Sequence, residues 1–175
     1  MRKLLLTLIA IAGVSLATNA QDVVFGVKAG LNFSKFGQDI DADGRTGFFF
    51  GGIADFTLSD DRFHIQPEAL FSMEGSEDLE ANFLRLLGIV KYEVADGFTL
   101  QAGPQIGIRF SADSAIEDAT DSFDFGVAIG VGYELPDIPL FFDARFNAGL
   151  ANLSDDDFFD TNLATFQLGV GYKFL

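Results

Sequence analysis

Residues 162–175 alternate strictly between two kinds of side chain. Ala164, Phe166, Leu168, Val170, Tyr172 and Phe174 fall on one side, and Leu163, Thr165, Gln167, Gly169, Gly171 and Lys173 on the other. A strand turns successive side chains to opposite faces, so this period of two predicts an extended strand with one apolar and one small or polar face. Seven earlier stretches repeat it: 23–34, 47–58, 63–73, 83–94, 98–110, 123–134 and 139–150. Each is close to the roughly 9–11 residues that a tilted strand needs to cross a bilayer.

The connections alternate too. Segments 59–62, 95–97 and 135–138 are short and carry turn residues such as Asp96-Gly97 and Pro136-Asp137. Segments 35–46, 74–82, 111–122 and 151–161 are longer, polar and acidic. Short turns at one end and long loops at the other are the plan of an outer-membrane barrel. The predicted fold is all-β: an eight-stranded antiparallel up-and-down transmembrane barrel over residues 21–175. The last strand should pair with both the seventh and the first, leaving no sheet edge.

The apolar faces decide between lipid and a soluble core. Lumen space in an eight-stranded barrel is just enough for side chains. Eight apolar faces rich in Phe, which numbers 21 in the chain, would overfill it. A soluble lipocalin-like barrel or a sandwich is therefore the weaker reading, and the apolar faces should meet lipid. The polar faces then enter the lumen. They carry Lys28, Arg85, Lys91, Arg109, Arg145 and Lys173 against Asp55, Glu68, Glu93, Asp124, Glu134 and Asp143. Such a balance suits a closed interior, where an unpaired buried charge is costly. From strand direction, Arg85, Arg109 and Asp124 should lie near the long-loop end, and Lys28, Glu68 and Arg145 at mid-height. Asp55, Lys91, Glu93, Glu134, Asp143 and Lys173 should lie toward the short turns.

The N-terminus stands apart. Arg2 and Lys3 precede an apolar run over 4–16, and Thr18-Asn19-Ala20 supplies small residues before position 21. This predicts a cleavable signal peptide over residues 1–20. With no Cys, there is neither a lipid-anchored cysteine nor a disulfide. The formal charge of −15 becomes −17 when the leader takes Arg2 and Lys3 with it. So acidic a chain lacks the basic footprint of a nucleic-acid binder.

Chemistry-bearing motifs are few. Asp39, Asp41 and Asp43, followed by Gly44, match the start of a calcium-binding loop of the D-x-D-x-D-G type. The closing Glu is missing, because position 50 is Phe50. The site is at best partial, and a solvated acidic loop is the plainer reading. Asp155, Asp156, Asp157 and Asp160 form a second acidic cluster, and Glu77, Asp78 and Glu80 a third. No cofactor is called for, although calcium or magnesium at these loops could link them to lipopolysaccharide phosphates. His64, the single histidine, sits on the polar face near a short turn, where an interior hydrogen bond suits it better than catalysis on outside substrates. Motifs of the P-loop, GxSxG, HExxH or cysteine-nucleophile kind are absent from the sequence.

Several segments resemble the PorT-like outer-membrane β-barrel family. Gln66-Pro67-Glu68-Ala69-Leu70-Phe71-Ser72 is similar to that family's QPELLYS segment. Residues 84–92, Ala102-Gly103-Pro104, 125–133, Asn147-Ala148-Gly149-Leu150 and 166–174 resemble its later strands. The resemblance spans the mature chain and implies a small barrel in the cell outer membrane. The family's namesake belongs to the type IX secretion machinery. The present chain is shorter-looped than that member, and the secretion role is not carried over. Phe174 is followed by Leu175, whereas outer-membrane barrels usually end on an aromatic residue.

The sequence thus predicts a non-enzymatic barrel with a plugged, charge-balanced interior and acidic outer loops, of structural or interaction type. A narrow small-solute channel and an accessory role in secretion are the alternatives. The expected partners are outer-membrane lipid and lipopolysaccharide, the barrel-assembly machinery during biogenesis, and a protein at the loops. A monomer is expected.

Overall fold

The structure, a computed structural model, describes residues 22–36, 45–58, 61–76, 79–110, 123–149 and 163–174. The leader predicted over 1–20 and the acidic segment carrying Asp39, Asp41 and Asp43 lie outside these residues, as do Glu77, Asp78 and the cluster around Asp156.

Eight strands form: β1 (Asp22–Phe36), β2 (Arg45–Thr57), β3 (Phe63–Ser76), β4 (Leu79–Ala95), β5 (Phe98–Phe110), β6 (Phe123–Glu134), β7 (Leu140–Gly149) and β8 (Leu163–Lys173). They close as one antiparallel barrel in sequence order, and no helix occurs among the described residues. β8 meets β7 from Leu140↔Tyr172 to Ala148↔Ala164 and β1 from Gly26↔Lys173 to Phe36↔Leu163. The expected seam is therefore present and the sheet has no free edge.

Strand limits differ from expectation chiefly between β3 and β4. The pattern ends at Met73 in the sequence reading and resumes at Phe83, yet the ladder continues from Met73↔Asn82 to Ser76↔Leu79. Residues 74–82 are thus wall for most of their length rather than a long loop. Polar composition alone reads as a connection here, because Glu74 has a buried partner that the local sequence does not reveal.

The short turns form as composition predicts. Gly97 adopts φ 76°, a left-handed conformation suited to glycine, and Glu134 N donates to its carbonyl at 2.8 Å. One register shift lies beside this turn, between Glu93 and Ala95.

Facing follows the pleat. Phe25, Phe98, Ile129 and Val131 are more than half exposed, as a lipid-facing wall requires. Aromatic pairs gather toward both strand ends. Phe63–Tyr92 and Phe98–Tyr133 lie at the short-turn side, with ring centroids 4.7 and 4.4 Å apart. Phe33–Phe166 and Phe50–Phe71 lie toward the other end, at 6.4 and 5.5 Å. Such girdles mark the two interfaces of a membrane barrel.

Candidate functional site

The inward faces build the only extensive polar assembly among the described residues. It is stacked in three levels, each drawing side chains from non-neighbouring strands.

At the long-loop level Arg85 of β4 is the hub. Its Nε and Nη2 donate to Glu74 of β3 at 3.0 and 2.6 Å, and its Nη1 donates to Asp124 of β6. The guanidinium also lies over the Phe83 ring, 4.2 Å from its centroid. A planar fork of donors can serve two carboxylates at once, which a lysine cannot do in the same geometry. Ser72 Oγ donates to Glu74 at 2.7 Å, while Ser34 and Thr165 join their hydroxyls at 3.0 Å. Asn32 Nδ2 donates to Ser72 Oγ at 2.8 Å, and Asn32 Oδ1 accepts from Gln167 Nε2 at 2.8 Å.

At mid-height Lys28 of β1 and Arg145 of β7 face Glu68 of β3 and Asp143 of β7. Arg145 Nη1 donates to Glu68 Oε2 at 2.8 Å, and its Nη2 approaches Glu68 Oε1 at 2.7 Å. Lys28 Nζ lies 2.7 Å from Asp143 Oδ2 and 3.6 Å from Glu68 Oε2. All four side chains are fully buried. The Lys28–Asp143 contact is an ion pair without hydrogen-bond alignment. Asp143 was expected nearer the short turns and instead completes this level, because its carboxylate points toward Lys28.

At the short-turn level Asp55 of β2 accepts from Lys91 of β4 at 2.9 Å and contacts Lys173 of β8 at 2.8 Å. Glu134 of β6 takes the same two ammonium groups, Lys173 at 2.5 Å and Lys91 as a further close partner. His64 Nδ1 meets Asp55 Oδ1 at 2.9 Å, and its Nε2 lies 3.1 Å from the Asp61 carbonyl. The histidine thereby ties the β2–β3 turn to the cluster, as an interior hydrogen-bonding residue. Lys91 Nζ also donates to Gln66 Oε1 at 3.1 Å.

Two members of the expected balance stand apart from the network. Arg109 is exposed on the inner face and has no ion-pair partner among the described residues. Glu93 accepts from Gly97 N at 3.1 Å and braces the turn. Glu74 enters in their place. The cross-linked set is therefore Lys28, Arg85, Lys91, Arg145 and Lys173 against Asp55, Glu68, Glu74, Asp124, Glu134 and Asp143, with His64 beside Asp55.

The lumen is not wholly polar. Phe49, Leu70, Leu87, Ile89 and Ala128 form a buried apolar cluster, with Phe83 and Phe141 also inward and buried. The sequence reading assigned none of these to the interior. Their signal was present as breaks in the alternation, since Phe48-Phe49-Phe50 and Leu86-Leu87 put apolar groups on both faces. The opposite wall carries Asp124 Oδ1, Asn147 Oδ1 and Gln167 Oε1 as buried acceptors with no donor. Apart from Ala128 and Phe141, this apolar packing comes from β2–β4, and most of the buried polar atoms without a hydrogen bond lie along β6–β8.

Inward glycines make room for the long side chains. A Cβ at Gly130 would lie 2.8 Å from Arg145 Cγ, and one at Gly169 would lie 2.7 Å from both Asp143 Oδ1 and Lys28 Cε. The Gly-rich faces of β6 and β8 are seats for the ion-pair hubs.

No group of three or more metal-ligating side chains occurs among the described residues. The lumen carboxylates are already taken by cations of the protein itself.

Known proteins place this architecture. The chain is similar to neisserial surface protein A, with a TM-score of 0.52 and 12% identity over 87% of this chain and 97% of that one. The Yersinia pestis outer membrane protein Ail, in a phospholipid bilayer nanodisc, gives 0.52 and 16% over 87% and 100%. A de novo designed transmembrane β-barrel gives 0.51 and 14% over 86% and 95%. At these identities the likeness is one of fold. No curated protein matches the sequence. Residues 4–174 match the outer membrane protein beta-barrel domain. With that match spanning nearly the whole chain, and a closed barrel that turns phenylalanine outward and ion pairs inward, the protein belongs to the outer membrane β-barrel domain family and resides in the outer membrane.

Proposed function

We propose that the protein is a non-enzymatic barrel whose rigid, plugged wall presents its acidic long-loop end as a contact surface, in a structural or adhesion role. The observation that carries this reading is the three-level network. Arg85, Arg145 and Lys91 each reach carboxylates on other strands, so the lumen is crossed by side chains at every height. Opening a solute path would require parting several buried ion pairs together, each costly to leave half-made. His64 supports the non-enzymatic reading, because its ring is held by Asp55 and the Asp61 carbonyl at the end remote from the long loops.

Loops on a rigid scaffold are where recognition concentrates. The phenylalanine belt serves lipid, and divalent cations would join the acidic loops to lipopolysaccharide phosphates. The QPE segment and its neighbours favour kinship with PorT-like barrels within the wider family. The protein acts as a monomer, with a protein partner at the loops.

Recording from the purified protein in a planar bilayer tests the plug. A silent membrane is expected. Reproducible unitary conductance steps would overturn the closed-lumen reading in favour of a narrow channel. Cross-linking in intact outer membranes, with the chain truncated between 37 and 44 as control, tests the contact surface. A partner captured equally by both forms would remove that loop from it.

A further inference from the structure

Apart from the register shift beside the Gly97 turn, the described ladder is broken at two places, and each coincides with a proline. Between β2 and β3 the pairing runs to Ile53↔Glu68 and resumes at Phe56↔Ile65. Between β4 and β5 it runs to Leu87↔Gln105 and resumes at Val90↔Ala102. The register is the same on both sides of each gap, so neither is a bulge. Pro67 and Pro104 sit in the gaps, opposite Ala54 and Gly88. Their other neighbours are unaffected: Pro67↔Gly88 lies within the unbroken β3–β4 ladder and Pro104↔Val127 within the unbroken β5–β6 ladder. Each ring nitrogen therefore points into its gap, toward the carbonyl of Ala54 or Gly88, and carries no hydrogen to donate.

Both prolines are exposed on the outer wall, where no water is at hand to replace a lost bond in the hydrocarbon layer. The residues opposite the prolines across the gaps, Ala54 and Gly88, are small, and Gly52, Ala69 and Ala102 lie beside them on the outer face. A Cβ at Gly88 would meet nothing within 4 Å. Side-chain packing over the gaps is thin where hydrogen bonding is also missing. The two gaps flank the same hairpin. Inside it, β3 and β4 are paired without interruption from Phe63↔Tyr92 to Ser76↔Leu79.

We propose that the β3–β4 hairpin is a separately yielding panel of the barrel wall, hinged on the two proline seams. The panel keeps its own ion pair, Arg85–Glu74, when it moves. It is tied to the rest of the lumen by the ion pairs of Glu68, Lys91 and Arg85, by the Asn32 hydrogen bonds to β3, and by the apolar packing of its inner face with Phe49 and Ala128. Parting the wall at a seam breaks one hydrogen bond fewer than parting it along an intact ladder.

Amide hydrogen exchange of the full chain in phospholipid nanodiscs tests this. The amides bordering the seams, those of Ala54, Phe56, Gly88 and Val90, should exchange faster than Leu70 and Leu87, whose amides lie inside the hairpin ladder. Pro67→Ala restores a donor opposite Ala54, and Pro104→Ala one opposite Gly88. Each variant should slow its own seam by roughly fivefold or more, the effect of about 1 kcal/mol for one hydrogen bond. Seam amides already as slow as Leu70 and Leu87 would overturn the proposal. So would variants that fold and leave seam exchange unchanged. Slowing at one seam only would reduce the panel to a flap with a single weak side and likewise overturn it. The wild-type comparison stands by itself if either variant fails to insert.

Discussion

The middle and short-turn levels of the lumen have the same charge balance and different surroundings. Each joins two cations to two carboxylates, Lys28 and Arg145 with Glu68 and Asp143, and Lys91 and Lys173 with Asp55 and Glu134. In the middle level every side chain is fully buried. At the short-turn level Glu134 is 30% exposed and Lys173 15%. Removing one ion from the first strands a charge that no solvent reaches. Removing one from the second leaves a charge that water can take over. Like sets of residues therefore hold the barrel by different amounts, and position along the lumen axis sets which.

Arg145→Leu should be the most damaging change. It leaves Glu68 with the 3.6 Å contact to Lys28 as its sole ion pair, beside the Gln66 amide at 2.6 Å, and opens the Gln101 acceptor, which Arg145 Nε now fills at 2.7 Å. A loss of about 3–5 kcal/mol is expected for breaking a buried pair by removing one partner. Urea unfolding in phospholipid bilayers would measure it. The paired replacement Glu68→Met with Arg145→Met should lose much less than Arg145→Met alone, because Lys28 and Asp143 remain matched at 2.7 Å. If the double variant proved as unstable as the single one, the cost would lie in packing volume, and stranded charge would not be the difference between the two levels.

Inner and outer glycines extend the comparison to the wall. A methyl at Gly169 would press on Asp143 Oδ1 and Lys28 Cε at 2.7 Å, two members of the middle level. Gly169→Ala should therefore cost about 1–3 kcal/mol by overpacking. Gly88 faces outward into open space, and Gly88→Ala should stay within about 0.5 kcal/mol of the parent. Equal costs, measured by the same unfolding assay, would mean that the inner glycines are not seats for the ion-pair hubs.

The outward half of this fold was easy to read in the sequence, and the inward half was not. Lipid makes a uniform demand, so Phe166, Val170 and Tyr172 announce their face by period alone. The lumen makes a different demand at each height. Lys28, Glu68 and Arg145 fall at the expected height because strand direction fixes height. Asp143 departs from its expected level because side-chain length and direction decide the final contact. Glu74 reads as loop in the sequence, since a carboxylate far from any local cation looks solvated until a strand eleven residues on brings Arg85 to it. Phe49 and Leu87 were missed because an apolar residue beside other apolar residues breaks the alternation without showing which way it points. The acidic residues Asp39, Asp41 and Asp43 lie outside the described residues, and their reading rests on spacing alone.

Lys173→Gln makes the finest distinction. Lys173 is the last ladder residue of β8, and it reaches across β1 to Asp55 and across the lumen to Glu134. Its removal leaves Asp55 with Lys91 and His64, and Glu134 with Lys91 and partial access to water. The remaining cation is shared, so neither carboxylate is abandoned. A loss of about 1 kcal/mol is expected, several-fold below that of Arg145→Leu. The salt dependence should separate the levels further. Ions reach a partly open cluster and screen it, while they hardly affect pairs buried from solvent. Raising salt should therefore shrink the difference between Lys173→Gln and the parent and leave that of Arg145→Leu nearly unchanged. A salt-independent loss at Lys173 would show that the short-turn end is as sealed as the middle, and that the two levels differ in exposure without differing in energetics.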